Sequence, residues 1–328
     1  MNSIGKRVLV SGGGGFLGAY LCDELLRRGD IELLVCVDNF WTGLEANLAH
    51  IDDARFRLVR SDIEAFRSDI DFHEAYHLAS PASPPWYMSD PGRTMSANLV
   101  GAMRILELLA PGGRMCFTST SEVYGDPAVS PQPETYRGSV DCTGPRSSYD
   151  ESKRATEALL FETRRTRGLD LRVARLFNAY GPRMREDDGR AVSNFIAQAL
   201  RGDPITIFGD GKQSRSWGYA SDIVEGMARY FWRDTFDYDG PLNLGNDREV
   251  PVLEIAEYVS KVTGNGRIVF EPPLPQDPSN RCPDLTIARR ILPGWSCGIS
   301  YEDGIGRTID WFRARLADPA RLVAAGGG

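Results

Sequence analysis

Histidine is scarce in this sequence, with three in 328 residues, and the six cysteines (Cys22, Cys36, Cys116, Cys142, Cys282, Cys297) include no C-x-x-C pair. Together these exclude the usual zinc ligand spacings, and no metal site is expected. Cys22, Cys36 and Cys116 lie inside apolar runs and read as small core residues; a chain of this length needs no disulfide framework, which fits a reducing cytoplasm. No stretch approaches the roughly 20 apolar residues of a membrane span, so no membrane partner is expected. The opening "MNSIGKRVLVSGG" runs straight into a strand pattern, with no room for a signal peptide. Basic residues do not dominate: the net charge is −7, which argues against nucleic acid as a partner, although a local arginine cluster can still hold an anion. Internal repeats are absent, and the closing "LVAAGGG" is expected to fray.

The sequence has, in its first half, short apolar runs separated by helical patterns. "RVLVS" (7–11), "LLVCVD" (33–38), "FRLVR" (56–60), "EAYHLA" (74–79), "RMCFTS" (114–119) and "DLRVARLF" (170–177) read as buried parallel strands. Between the first two, Phe16, Leu17, Leu21, Leu25 and Leu26 recur at helical spacing, with Gly29 as a C-terminal stop. The fold class is therefore α/β, a Rossmann-type doubly wound parallel sheet. After residue 180 the pattern changes to a polar loop ("GPRMREDDGR"), short helices ("VSNFIAQALRG", "DIVEGMARYFW", "VLEIAEYVSKV"), a strand into a turn ("PITIFGDG") and the Pro-rich "EPPLPQDPSNRCPD". That predicts a dinucleotide-binding domain over 1–180 and, over 181–328, a smaller α+β substrate-binding part, some of whose chain returns to the core domain.

Glycines 12, 15 and 18 in "SGGGGFLG" form G-x-x-G-x-x-G between a strand and a helix. This arrangement permits a tight turn, close approach to a pyrophosphate and an anion at the helix N-terminus. Asp38 ends the second strand about 20 residues later, where an acid binds ribose hydroxyls. "VDNFWTGLEANL" supplies no Arg or Lys for a 2′-phosphate, so the expected cofactor is NAD; "SDI" (Ser61–Ile63) is placed to flank the adenine.

In "SYDESKR", Tyr149 and Lys153 stand four apart and share a helix face, where an ammonium stabilises a phenolate as a base near neutral pH. "TSTSEVYGD" (118–126) follows an apolar strand and emerges at the sheet's carboxyl edge, where open α/β sheets bind ligands. It puts hydroxyls and one acid, Glu122, where packing requires none.

These features together, with "HLASPASPPWYM" (77–88), "TSTSEVYGDP" (118–127), "GPRSSYDESKR" (144–154), "ARLFNAYGPRM" (174–184), "DGRAVSNFIAQAL" (188–200), "GDGKQSRSWGYASDIV" (209–224), "LNLGN" (242–246) and "QDPSNRCPD" (276–284), resemble the extended short-chain dehydrogenase/reductase family from about residue 5 to about 312. Within it, the branch that decarboxylates UDP-glucuronate is most similar. The resemblance implies a dehydrogenase triad of Thr120, Tyr149 and Lys153, and a decarboxylation pair of Glu122 and Arg281 with Ser121 beside them. It implies NAD contacts from Gly12, Gly15, Phe16, Leu17, Gly18, Asp38, Asn39, Asp62, Ile63, Leu78, Ala79 and Ser80, besides Tyr149 and Lys153. For a UDP-sugar substrate it implies Pro84, Tyr87, Asn98, Asn178, Arg190, Val192, Asn194, Phe208, Gln213, Arg215 and Arg281, with Arg215 the phosphate partner.

The expected activity is NAD-dependent conversion of UDP-glucuronate through a 4-keto intermediate to UDP-xylose. The family also implies a homodimer through helices around 94–109 and 149–166. Departures from the branch pattern are Ser11 and Gly14 in the glycine loop, Trp86 in place of Asn, and Ser96 in place of a common Lys. The last implies a weaker hold on the glucuronate, a slower final reduction and some released UDP-4-keto-pentose. Two other readings stay open: a nucleotide-sugar 4-epimerase or 4,6-dehydratase on the same fold, and a non-catalytic dinucleotide-binding sensor.

Overall fold

The computed structural model describes residues 5–235, 237–273 and 281–317. Its seven-stranded sheet has the order β11-β6-β5-β4-β1-β2-β3. The first unit comprises residues 1–82, 86–120 and 145–174. Its elements run β1 (Lys6–Ser11), α1 (Phe16–Leu26), β2 (Ile31–Asp38), β3 (Phe56–Arg60), β4 (Phe72–His77), α2 (Pro84–Ser89, begun in the second unit), α3 (Pro91–Met95), α4 (Gly101–Glu107), β5 (Leu109–Thr120), α5 (Ser147–Arg167) and β6 (Asp170–Leu176, completed in the second unit). A π turn, Ser96–Val100, lies between α3 and α4.

β1 pairs in parallel with both β2 and β4, β2 with β3, and β4 with β5. β1, β2 and β4 are mostly buried along their length, as inner strands of a parallel sheet are, whereas the edge strand β3 is partly exposed. Strand order reverses beside β1, so the crevice beyond its carboxyl end is the ligand position of such sheets. The core under it includes Leu9, Val35, Phe72, Ile105, Phe117 and Leu160.

The second unit comprises residues 83–85, 121–144 and 175–328. It contains a 3-10 turn (Ser121–Tyr124), β7 (Ala179–Tyr180), α6 (Ala191–Arg201), β8 (Ile205–Phe208), β9 (Ser214–Ser216), β10 (Gly218–Tyr219), α7 (Ala220–Trp232), β11 (Leu242–Leu244), β12 (Glu249–Pro251), α8 (Val252–Thr263), β13 (Ile268–Glu271), α9 (Thr286–Ile291) and α10 (Tyr301–Leu316). Three two-stranded pairs form here: β7 with β10 and β8 with β13 in parallel, β9 with β12 antiparallel.

Two expectations shift. The expected cut after residue 180 falls at Arg175, and residues 121–144 go with the second unit, because the chain leaves the sheet at Thr120 and returns only with α5. α1 stops at Leu26, with Arg27 as its cap, short of Gly29. The ion pairs of Arg28 with Asp30 and Glu74 fix the chain's exit there instead. Residues 274–280 of the Pro-rich loop and the closing "LVAAGGG" lie outside the described residues.

Candidate active site

The first unit builds a cradle from β1, α1 and the loops after β2 and β4. Gly12 has φ +78°, and a Cβ there would lie 2.5 Å from the Ala79 nitrogen, so only glycine brings the two strand ends this close. A Cβ on Gly18 would lie 2.1 Å from the Gly12 carbonyl oxygen, so the helix can sit on the loop only without a side chain. Asp38 is buried: Oδ2 accepts from the Gly14 amide at 2.8 Å and Oδ1 from the Phe40 amide at 2.7 Å. Burial pushes its carboxyl above the usual range against these backbone donors.

A cavity of about 500 Å³, including solvent at its mouth, opens over this cradle. Of the expected NAD residues, Gly12, Gly15, Asp38, Asn39, Ile63, Leu78, Ala79 and Ser80 line it. Phe16, Leu17 and Gly18 instead start α1, and Asp62 is not among the lining residues; it accepts from Asn39 Nδ2 at 2.5 Å and Arg93 Nη2 at 3.0 Å. Trp41, Thr42, Gly43, Glu64 and Ala97 also line it. Of these, Trp41 carries the Arg93 guanidinium 4.6 Å from its ring centre. An aromatic shortly after Asp38, the acid expected at the ribose, was the available signal for Trp41. Glu64 accepts from Ser96, the position where the branch commonly has Lys, at 3.2 Å. A cradle that any Cβ would fill, followed by an acid on its rim, fits a dinucleotide.

α5 carries Tyr149 and Lys153 one turn apart. The Tyr149 ring stacks on Tyr87 at 4.9 Å with an interplanar angle of 10°. Lys153 is 2% exposed, and its Nζ donates to the Thr118 carbonyl at 2.9 Å and lies 5.7 Å from the Tyr149 ring centre. Burial pulls its pKa down to about 7, against the nearby Glu157 carboxylate. Thr120 closes β5 in the same unit and is buried.

Behind these residues lies His77. Its Nε2 faces the Asn98 carbonyl at 3.1 Å, which can only accept, so Nδ1 accepts from the Ser11 hydroxyl at 2.7 Å. Burial, together with the charge on Lys153, lowers its pKa to about 3 and keeps it neutral. Asn98, expected at the substrate, is fully buried: Nδ2 donates to Ser152 Oγ at 2.9 Å and to the Thr94 carbonyl at 3.1 Å, and Ser152 Oγ donates to the Tyr149 carbonyl at 3.0 Å. Asn98 reaches α5 from the π turn, so it braces the helix that carries Tyr149 and Lys153.

In the second unit, Ser121 and Glu122 occupy the 3-10 turn that follows Thr120 directly. The Arg281 side chain, 4% exposed, donates from Nη2 to Glu122 Oε2 at 2.8 Å and from Nη1 to Ser121 Oγ at 3.1 Å. Its backbone is fixed too: the Arg281 carbonyl accepts from Ser216 Oγ at 2.7 Å, and the Cys282 amide donates to Gln132 Oε1 at 2.9 Å. The three residues expected to act on a carboxylate are thus assembled from positions 160 apart in sequence.

The remaining second-unit residues form smaller groups. Gln213 donates to the Phe208 carbonyl at 2.8 Å, Arg190 grips Asp188 with two nitrogens, and Arg215 is 8% exposed on β9. Val192 is buried in α6, whereas Pro84, Asn178 and Asn194 are half-buried.

Residues 8–245 match the model of the NAD dependent epimerase/dehydratase family. The chain is 46% identical over 314 residues to UDP-glucuronic acid decarboxylase 1 of Arabidopsis thaliana, covering 94% of this chain and 70% of that protein. It is 42% identical over 319 residues to UDP-glucuronic acid decarboxylase 1 of Xenopus tropicalis, covering 96% and 74%. Among solved structures it is similar to UDP-glucuronic acid 4-epimerase from Bacillus cereus in complex with UDP-glucuronic acid and NAD, at TM-score 0.83 and 26% identity, covering 94% of this chain and 99% of that one.

Proposed function

This chain belongs to the NAD dependent epimerase/dehydratase family, and we propose that within it the chain is a UDP-glucuronate decarboxylase that forms UDP-xylose. The observation that carries this reading is the buried Arg281 joined to both Glu122 and Ser121 immediately after Thr120. A 4-epimerase needs only the oxidation machinery and has no use for a carboxylate–guanidinium pair at that point.

Bound in the cradle, NAD supplies the hydride acceptor and later the donor. Tyr149, as phenolate, removes the proton from the sugar 4-hydroxyl. Lys153 stabilises that phenolate and Thr120 orients the hydroxyl. The resulting 4-ketone makes the C6 carboxylate a β-keto acid, which loses CO2 because the ketone accepts the electron pair as an enolate. Arg281 offsets the repulsion between Glu122 and the substrate carboxylate, and Glu122 with Ser121 promotes CO2 departure and delivers a proton to C5. Tyr149 returns its proton when C4 is reduced. Arg215 and Arg190 hold the UDP phosphates, with Phe208 and Gln213 in the nucleotide-binding group.

A homodimer fits the exposure of Met88, Met95, Val100 and Met103, which lie on α2 to α4 and the π turn between them and are each 45–47% exposed. Among the described residues no helix is long and apolar enough to cross a membrane, and six free cysteines fit a reducing cytoplasm.

The test is incubation with carboxyl-labelled UDP-glucuronate and NAD, following CO2, NADH absorbance and product mass. UDP-xylose with a minor UDP-4-keto-pentose fraction is expected, the latter from the Ser96 position. Retention of all six sugar carbons in an epimerised product overturns the decarboxylase reading. Glu122→Gln should slow CO2 release at least tenfold while leaving the first formation of NADH within about threefold; unchanged CO2 release removes Glu122 from the mechanism.

A further inference from the structure

Arg60 ends β3 directly across the sheet from Asp38, the acid on the cradle rim. The stretch "NFWTGLEANL" after Asp38 holds no cation, but parallel pairing brings one from further along the chain. The Arg60 guanidinium lies 4.9 Å from the centre of the Phe40 ring. Phe40 takes the left-handed conformation, at φ 56°, and its amide donates to Asp38 Oδ1. The carboxylate of Glu45, in the short turn Glu45–Asn47, pairs with the same guanidinium. Gly43 closes the loop over Asp38, since a Cβ there would lie 3.0 Å from Asp38 Oδ1.

We propose that Glu45 is a second determinant of NAD over NADP. It keeps Arg60 paired beside Phe40, so that the cation opposite Asp38 does not turn to a 2′-phosphate on the adenosine ribose. Asp38 repels that phosphate directly, and Glu45 withholds the group that would otherwise attract it. Both members of the pair are substantially exposed, so removing Glu45 leaves no buried charge and does not threaten the fold. A guanidinium released in this way has the fork geometry that phosphate binding favours.

The inference rests on the cradle taking NAD, and the test separates the two. Dissociation constants for NAD and NADP are measured by titration calorimetry on the whole chain and on Glu45→Gln, Arg60→Ala and Glu45→Gln/Arg60→Ala. Glu45→Gln should bind NADP at least fivefold more tightly, with NAD affinity within twofold, and the double variant should lose that gain. The gain should also shrink as salt is raised. A gain under twofold, or one that survives Arg60→Ala, overturns the role of Glu45. Failure of the unaltered chain to bind NAD overturns the cofactor reading instead. Repeating the set on Asp38→Asn, which retains an acceptor for the backbone amides, reads the effect of Glu45 without the direct repulsion. There the same fivefold difference is expected, and its absence counts against the proposal.

Discussion

Lys153, the proposed partner of Tyr149, shows what a buried ammonium costs the fold. Its ammonium sits in the core, donating to the Thr118 carbonyl, and burial brings its pKa from 10.5 to about 7. Below about pH 7 both the folded and unfolded chains carry the proton, and the native state bears the whole desolvation cost. Between about 7 and 10.5 the unfolded chain binds more protons, so stability rises with pH across that window, and above it the cost is gone. Lys153→Met should therefore abolish NADH formation yet melt about 5 °C higher at pH 6, an advantage that shrinks toward pH 10. A variant that melts lower at pH 6 shows that the lost hydrogen bond outweighs desolvation. His77 works with the same sign at lower pH: stability falls as pH drops from 6.5 toward about 3, because the unfolded imidazole takes up a proton that the buried one refuses.

At the scale of elements, the glycine loop and α1 act as one piece. Gly18→Ala would set a Cβ 2.1 Å from the Gly12 carbonyl oxygen and 2.8 Å from the Gly13 Cα, both backbone atoms that cannot swing away. It should weaken NAD binding at least tenfold and lower the melting temperature. Gly29→Ala, with nothing within 4 Å, is the matched control and should change stability by no more than about 0.5 kcal/mol. Equal behaviour of the two variants, by calorimetry and thermal melting, contradicts the packing role. These local features were legible in the sequence because periodicity and spacing record them: the strand runs, the three glycines, Asp38, and Tyr149 with Lys153 one turn apart. What pairing and packing bring together was not. Arg60 meets Asp38 through the β2–β3 register, and Asn98 donates to Ser152 from a π turn that interrupts the helix.

For the whole molecule, the exposed apolar residues on α2 to α4 carry the proposed homodimer. Met95→Glu/Met103→Glu should convert the proposed dimer to monomers in light scattering, since a carboxylate buried in an apolar interface has no partner. An unchanged mass places the interface elsewhere. One of the points where the chain passes between the two units is the peptide bond between Thr120 and Ser121, so the division also separates the residues proposed for the two halves of the chemistry. The proposed hydride machinery of Thr120, Tyr149 and Lys153 lies wholly in one unit, and the proposed decarboxylation group of Ser121, Glu122 and Arg281 lies wholly in the other. Such a seam lets descent work on the two halves separately. A lineage can keep one way of making a ketone and, by editing a short turn and a distant arginine, change which bond that ketone is used to break.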